Sequence, residues 1–201
     1  MRFKLGGTEA ELSFSLLCAA ALCAVSGMMK GFLWCVSAIL LHEGGHILMM
    51  RRLGYFPERI KISLFEITIE DGGRQSRKAY ENALIIFFGP FANFICFSLS
   101  FLLYLGGMEK LLPFAAANLS VGLFNSLPVL SLDGGQLLYL GLCRRHAPRF
   151  AERAVDAATF CCVFPLAVLG FMLLLRSRYN VSLLFVSLYL AASPLLRREH
   201  F

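Results

Sequence analysis

Six stretches of this chain are apolar for long enough to cross a bilayer as helices: 12–29, 31–50, 83–106, 110–130, 154–175 and 179–196. Each is close to the roughly 20 residues such a helix needs. Polar residues gather between them, and the longest polar segment, about 51–80, has a different rhythm. Arg59-Ile60-Lys61-Ile62-Ser63-Leu64 and Phe65-Glu66-Ile67-Thr68-Ile69-Glu70 alternate with the period of a strand, and Asp71-Gly72-Gly73 supplies turn chemistry. The pattern predicts an all-α polytopic membrane protein of about six transmembrane helices, with a short interfacial β-hairpin after the second. That hairpin reads equally well as a plain surface feature or as an edge that receives an extended peptide. Residues 12–29 carry no small-residue cleavage site, so they are expected to be retained as a span. No repeat, low-complexity tract or interdomain linker interrupts the chain, which predicts one membrane-embedded domain over 1–201.

Composition sharpens this picture. Of 201 residues, 58% are hydrophobic, well above the usual share in soluble domains, and a separate soluble domain has little room. Basic residues set the orientation: with six spans, fifteen of the nineteen Lys and Arg fall on the side that holds both termini. The positive-inside rule places that side in the cytosol. The net charge of +6 follows from this bias and gives no reason to expect a nucleic-acid partner. Seven cysteines are present, all but Cys143 within the apolar stretches and none in a CxxC pair. They read as small buried hydrophobes, not as a disulfide framework.

The chemistry enters in the second span, GFLWCVSAILLHEGGHILMM over 31–50, where Glu43 is the only acidic residue. A charge at bilayer depth costs about 2.5 kcal/mol or more, so such groups are rare and usually functional. His42 and His46, four apart, share one helix face. His42-Glu43-Gly44-Gly45-His46 is therefore the His-Glu-x-x-His arrangement of zinc peptidases, two imidazole ligands with a glutamate beside the metal. Histidines bonded only to neighbouring helices are the duller account. Gly44 and Gly45 suit either a close backbone approach or ordinary small-residue packing. In the third span, Gly89-Pro90-Phe91-Ala92-Asn93 predicts a kink, with Asn93 free to bond a neighbouring helix. The fourth carries Asn118 and Asn125, then breaks into Leu127-Pro128-Val129-Leu130-Ser131-Leu132-Asp133-Gly134-Gly135. Irregular backbone at that depth is tolerated where protein buries it or where it lines a watered cavity.

Zinc needs a third protein ligand. His146 and His200 lie among arginines, and Cys143 lies just beyond the fourth span. Asp133 reaches the same cytosolic depth as the two histidines, although Asp-Gly-Gly also reads as a capped turn. A divalent-metal transporter is the rival from another class. It would need ligands along several helices, and the first, fifth and sixth spans offer no histidine or carboxylate at depth.

Taken together, His42-Glu43-Gly44-Gly45-His46, Gly89-Pro90 with Asn93, and Asn125 through Leu132-Asp133-Gly134-Gly135 resemble the site-2 protease family of intramembrane zinc metalloproteases. The likeness covers a core of about 31–136, leaves 12–29, 154–175 and 179–196 as accessory spans, and is strongest to the short bacterial branch of stage IV sporulation protein FB. It implies one Zn²⁺ held by His42, His46 and Asp133, Glu43 as the base that activates water, and Asn125 positioning substrate. It implies a bacterial cytoplasmic membrane and a membrane-tethered protein substrate, such as a transcription-factor precursor or anti-sigma factor, cut near the cytosolic side. A membrane inhibitor or regulator fits the same picture. The strand near 60–69 and the tail 125–133 are the expected holders of the unwound substrate segment. Two departures stand out. The chain stops at Phe201, where the sporulation branch commonly continues into a nucleotide-binding domain, and Ser131 stands where the family often has proline. No inserted PDZ domain is present, so the periplasmic role of the longer branch is not expected.

Overall fold

The computed structural model describes residues 2–5, 8–12, 23–56, 59–62, 67–70 and 77–176. The sixth expected span, 179–196, and most of the first lie outside the described residues. The chain forms two compact units, Met1–Leu123 and Phe124–Phe201.

In the first unit, α1 (Met29–Arg52) contains the second expected span and α2 (Ala79–Leu105) the third. Both are long and apolar enough to cross a membrane. α1 ends where Gly54 takes φ +83 and the chain folds back, Gly54 N–H bonding to Arg51 O and Tyr55 N–H to Met50 O. Only glycine adopts that conformation without strain. Arg51 and Arg52 in the last turn suit the negative end of the helix dipole. At the start of α2, the Glu81 carboxylate accepts the Lys78 backbone N–H at 3.1 Å and so caps the first turn.

The two helices are built inside out relative to a soluble protein. The buried positions of α1 are Ala38, His42, Gly45, His46 and Met50, and those of α2 are Ile85, Gly89, Pro90, Asn93 and Ser100. Leu40, Leu48, Phe87, Ile95, Leu99 and Leu102 are exposed instead. Small and polar residues inside with large apolar ones outside is the arrangement expected when lipid is the solvent.

Four strands form a sheet in the order β1 (Arg2–Leu5), β2 (Thr8–Leu12), β3 (Arg59–Ile62), β4 (Ile67–Glu70). β1 and β2 are antiparallel, β2 runs parallel to β3 with Ala10 opposite Ile60, and β3 and β4 are antiparallel. β3 and β4 pair where the hairpin after the second span was expected, whereas β1 and β2 were not expected as strands, and Leu12, assigned to the first span, closes β2. The cause is non-local: the hydrogen bonds that make 8–12 a strand come from residues some fifty positions away.

Tyr55 joins the ends of α1 and α2. Its hydroxyl donates to the Glu81 carboxylate at 3.0 Å, which raises the phenol's pKa above 10.0, and the Arg77 guanidinium carbon lies 4.1 Å from its ring centroid. Trp34 meets Phe114 with ring centroids 5.5 Å apart, packing α1 against the helix that follows α2.

That helix, α3 (Leu112–Asn125), follows a 3-10 turn at Glu109–Leu111 and is shorter than the expected 110–130. The second unit begins at its last residues. Beyond an irregular segment, 126–132, the chain forms α4 (Asp133–Cys143), which the hydropathy pattern did not single out, and then α5 (Pro148–Arg176). Val129, Leu132 and Val163 are buried together, with Phe124, Leu127 and Cys162 around them. The Leu130 N–H donates to Thr159 Oγ1 at 3.1 Å, so α5 holds the irregular segment by both apolar packing and a hydrogen bond. Gly134 and Gly135 are needed here for space. A Cβ on Gly134 would meet the carbonyls of Ser126 and Leu127, and one on Gly135 the Val129 carbonyl.

The adjacent glycines of α1 separate cleanly. A Cβ on Gly45 would collide with the Phe88 carbonyl and lie 2.9 Å from the Ala92 Cβ, whereas nothing stands within 4 Å of one on Gly44. Gly45→Ala is expected to destabilise the folded protein by about 1–3 kcal/mol through forced separation of α1 and α2. Gly44→Ala should be neutral or stabilising by up to about 1 kcal/mol. Thermal melts of the two variants in one detergent check the ordering, and equal melting temperatures would contradict it.

Candidate metal centre

α1 presents His42 and His46 on its buried face, and α2 supplies what orients them. His46 Nδ1 lies 2.8 Å from the Ile85 carbonyl oxygen. A carbonyl only accepts, so Nδ1 carries the proton and the neutral ring leaves Nε2 with its lone pair. His42 Nδ1 lies 2.7 Å from Asn93 Oδ1. The orientation of that amide is set from its other end: Asn93 Nδ2 donates to Ala38 O at 2.9 Å and to Asn118 Oδ1 at 3.0 Å. With the nitrogen committed to two acceptors, Oδ1 faces the imidazole, and His42 also donates from Nδ1.

Both Nε2 atoms then hold lone pairs, and they face each other at 3.2 Å. Zinc–nitrogen bonds at a tetrahedral angle would put two such donors roughly 3.3 Å apart. The second unit carries a carboxylate, Asp133, at the start of α4. Two imidazoles and one carboxylate are the donor set of a catalytic zinc site with one position open. The residues fit the metal.

Gly89 makes room for this pair. A Cβ there would run into the His46 ring and come within 3.0 Å of His42 Cε1. Pro90 follows, buried, and its missing N–H leaves the Ile86 carbonyl without its usual helical donor. Glu43 is half-buried on α1 beside His42, and Asn125, also half-buried, is the last residue of α3. Asp133 opens α4, where the helix dipole favours a carboxylate. Of the other ligand candidates, His146 is exposed with its ring 4.7 Å from that of Phe150, Cys143 ends α4, and His200 lies outside the described residues.

Three participants have no role that sequence reasoning assigned: the carbonyls of Ala38 and Ile85, and Asn118. Backbone carbonyls leave no mark in a sequence. Asn118 does leave one, as a polar residue in an apolar span.

No family model matches the chain. It is 26% identical over 189 residues to stage IV sporulation protein FB of Bacillus subtilis, covering 90% of this chain and 64% of that protein. It thus spans just under two thirds of that relative's length. Among solved structures, the site-2 protease from Methanocaldococcus jannaschii matches with a TM-score of 0.69 at 20% identity, over 94% of this chain and 91% of the other. The fold is that of the site-2 protease from Methanocaldococcus jannaschii. The resemblance to the site-2 protease family holds in both sequence and fold.

Gly89→Ala should displace both imidazoles and reduce the metal content of the purified protein at least tenfold while its helical circular dichroism persists. Metal analysis by mass spectrometry tests this. Wild-type metal content in the variant would mean that the rings do not rest against Gly89.

Proposed function

We propose that the chain is an intramembrane zinc endopeptidase that acts through one membrane-embedded protease domain spanning 1–201. One observation carries the reading: two buried imidazoles, each with its Nδ1 proton directed at an oxygen, turn their Nε2 lone pairs on one point. Asp133 is the third ligand in this reading, the carboxylate that completes a donor set of two imidazoles and one oxygen. Bound zinc supplies a Lewis acid that acidifies water and polarises the scissile carbonyl.

Glu43 accepts the proton of the attacking water and returns it to the leaving amine. A transmembrane substrate hides its carbonyls in helical hydrogen bonds, so a segment must unwind before attack. Asn125 offers an amide that can pair with the exposed backbone of that segment, and the irregular stretch 126–132 ends at Asp133. The substrate is a membrane-tethered protein, with a transcription-factor precursor or anti-sigma factor as the family-like case, and the cut lies toward the cytosol.

The chain is embedded in a bacterial cytoplasmic membrane with cytosolic termini. Two observations support this placement. Large apolar side chains cover the outward faces of α1 and α2. The pairing of β2 with β3 keeps the N-terminal strands on the side to which α1 delivers the chain, the side richest in Lys and Arg.

Glu43→Gln should keep zinc and lower cleavage of a co-expressed membrane-tethered substrate by about 10²-fold or more. Asp133→Ala should lose zinc and activity together. Turnover by Glu43→Gln at the wild-type rate would remove Glu43 from the mechanism, and undiminished zinc in Asp133→Ala would assign the third ligand elsewhere.

A further inference from the structure

Asn118 has no role in the reaction as described, yet it is fully buried and sits at one end of a directional chain of hydrogen bonds. Its Nδ2 donates to the Phe114 carbonyl at 3.0 Å, its Oδ1 accepts from Asn93 Nδ2 at 3.0 Å, and Asn93 Oδ1 faces His42 Nδ1 at 2.7 Å. Asn93 and Asn118 are both 0% exposed. Neither amide can exchange its protein partners for water, so each must be satisfied where it stands.

The chain has only one sense. An amide is a donor at one end and an acceptor at the other, and a backbone carbonyl is an acceptor alone. Phe114 O therefore turns the nitrogen of Asn118 toward itself and the oxygen toward Asn93. A reversed Asn93 would set oxygen against oxygen at both Ala38 and Asn118, and would offer His42 a donor. His42 would then have to accept at Nδ1, moving its proton to Nε2, the atom aimed at His46. Three helices contribute: α3 supplies Asn118 and Phe114, α2 supplies Asn93, and α1 supplies His42 and Ala38.

We propose that Asn118 is a positioning residue that acts through Asn93 to keep the His42 proton on Nδ1 and off Nε2. Its link to zinc rests on the function proposed above; its effect on the imidazole does not. Partners one bond beyond a ligand commonly carry a 10–100-fold share of metal affinity. Asn118 stands one bond further out, and Ala38 O remains as a second lock, so about tenfold is expected.

The test uses the full chain in detergent, with histidine labelled by ¹⁵N. There are four histidines, so assignment of the ring nitrogens is tractable with a His42→Gln control. Wild type, Asn118→Leu and Asn118→Asp are compared metal-free, and zinc affinity is then measured by chelator competition. Asn118→Leu removes the acceptor. It should show His42 as a mixture of tautomers and bind zinc about tenfold more weakly. Asn118→Asp keeps an oxygen toward Asn93 and should restore the Nδ1–H form.

A wild-type His42 tautomer and wild-type zinc affinity in Asn118→Leu would overturn the proposal. If Asn118→Leu does not fold, the aspartate variant decides alone, and a mixed tautomer there would overturn it too. Failure of the wild type to bind zinc would count against the proposed protease, and the tautomer comparison would then decide the role of Asn118 by itself.

Discussion

Everything at the metal centre depends on how closely α1 and α2 approach. Gly45 lets the α2 backbone at Phe88 reach the α1 backbone, and Gly89 lets the two imidazoles of α1 lie against α2. A methyl group at either position would separate the helices or push the rings aside. Only at this distance do Ile85 O and Asn93 Oδ1 come within 2.8 Å of the ring nitrogens that they orient. The glycines thus do more than permit packing. They bring an oxygen of α2 to the Nδ1 atom of each histidine and so fix how both rings are turned.

The same approach explains why polar residues can occupy the middle of apolar helices. Asn93, Asn118, His42 and His46 would each be costly in a hydrocarbon environment if left without partners. Bonded to one another and to the carbonyls of Ala38, Ile85 and Phe114, they form a set in which each amide and each imidazole Nδ1 has an assigned oxygen or nitrogen. Such a set admits one arrangement, which is the rigidity a metal site needs. The second unit shows a parallel economy at Asp133. The glycines after it bring the start of α4 against the irregular segment, and Thr159 with the Val129–Leu132–Val163 cluster keeps that segment in place.

Much of this was legible in the order of residues. A bilayer demands long apolar helices, so α1, α2 and the α5 region announce themselves by hydropathy. His42 and His46 share a face because a helix repeats every 3.6 residues, and Asn93 stood out as a polar group where polarity is expensive. Local patterns were less informative where partners are remote. The strands at Arg2–Leu5 and Thr8–Leu12 are too short to identify by alternation, and their neighbour β3 follows a whole helix later. α4 was hidden because Asp-Gly-Gly carries the signature of a turn. Only the packed loop shows that the glycines serve close contact at a helix start.

The sequence alone determined the spacing of the two histidines on one helix face and the long apolar helices that carry them, because helical periodicity and the cost of burying polarity act locally. Tertiary structure decided the rest. It separated Gly45 from Gly44, set the histidine tautomers through the Ile85 carbonyl and the Asn93 amide of the neighbouring helix, and gave Asn118 its place in that chain of bonds. These are relations between backbones distant in sequence, and a backbone carbonyl looks the same in every residue until the fold brings a donor to it.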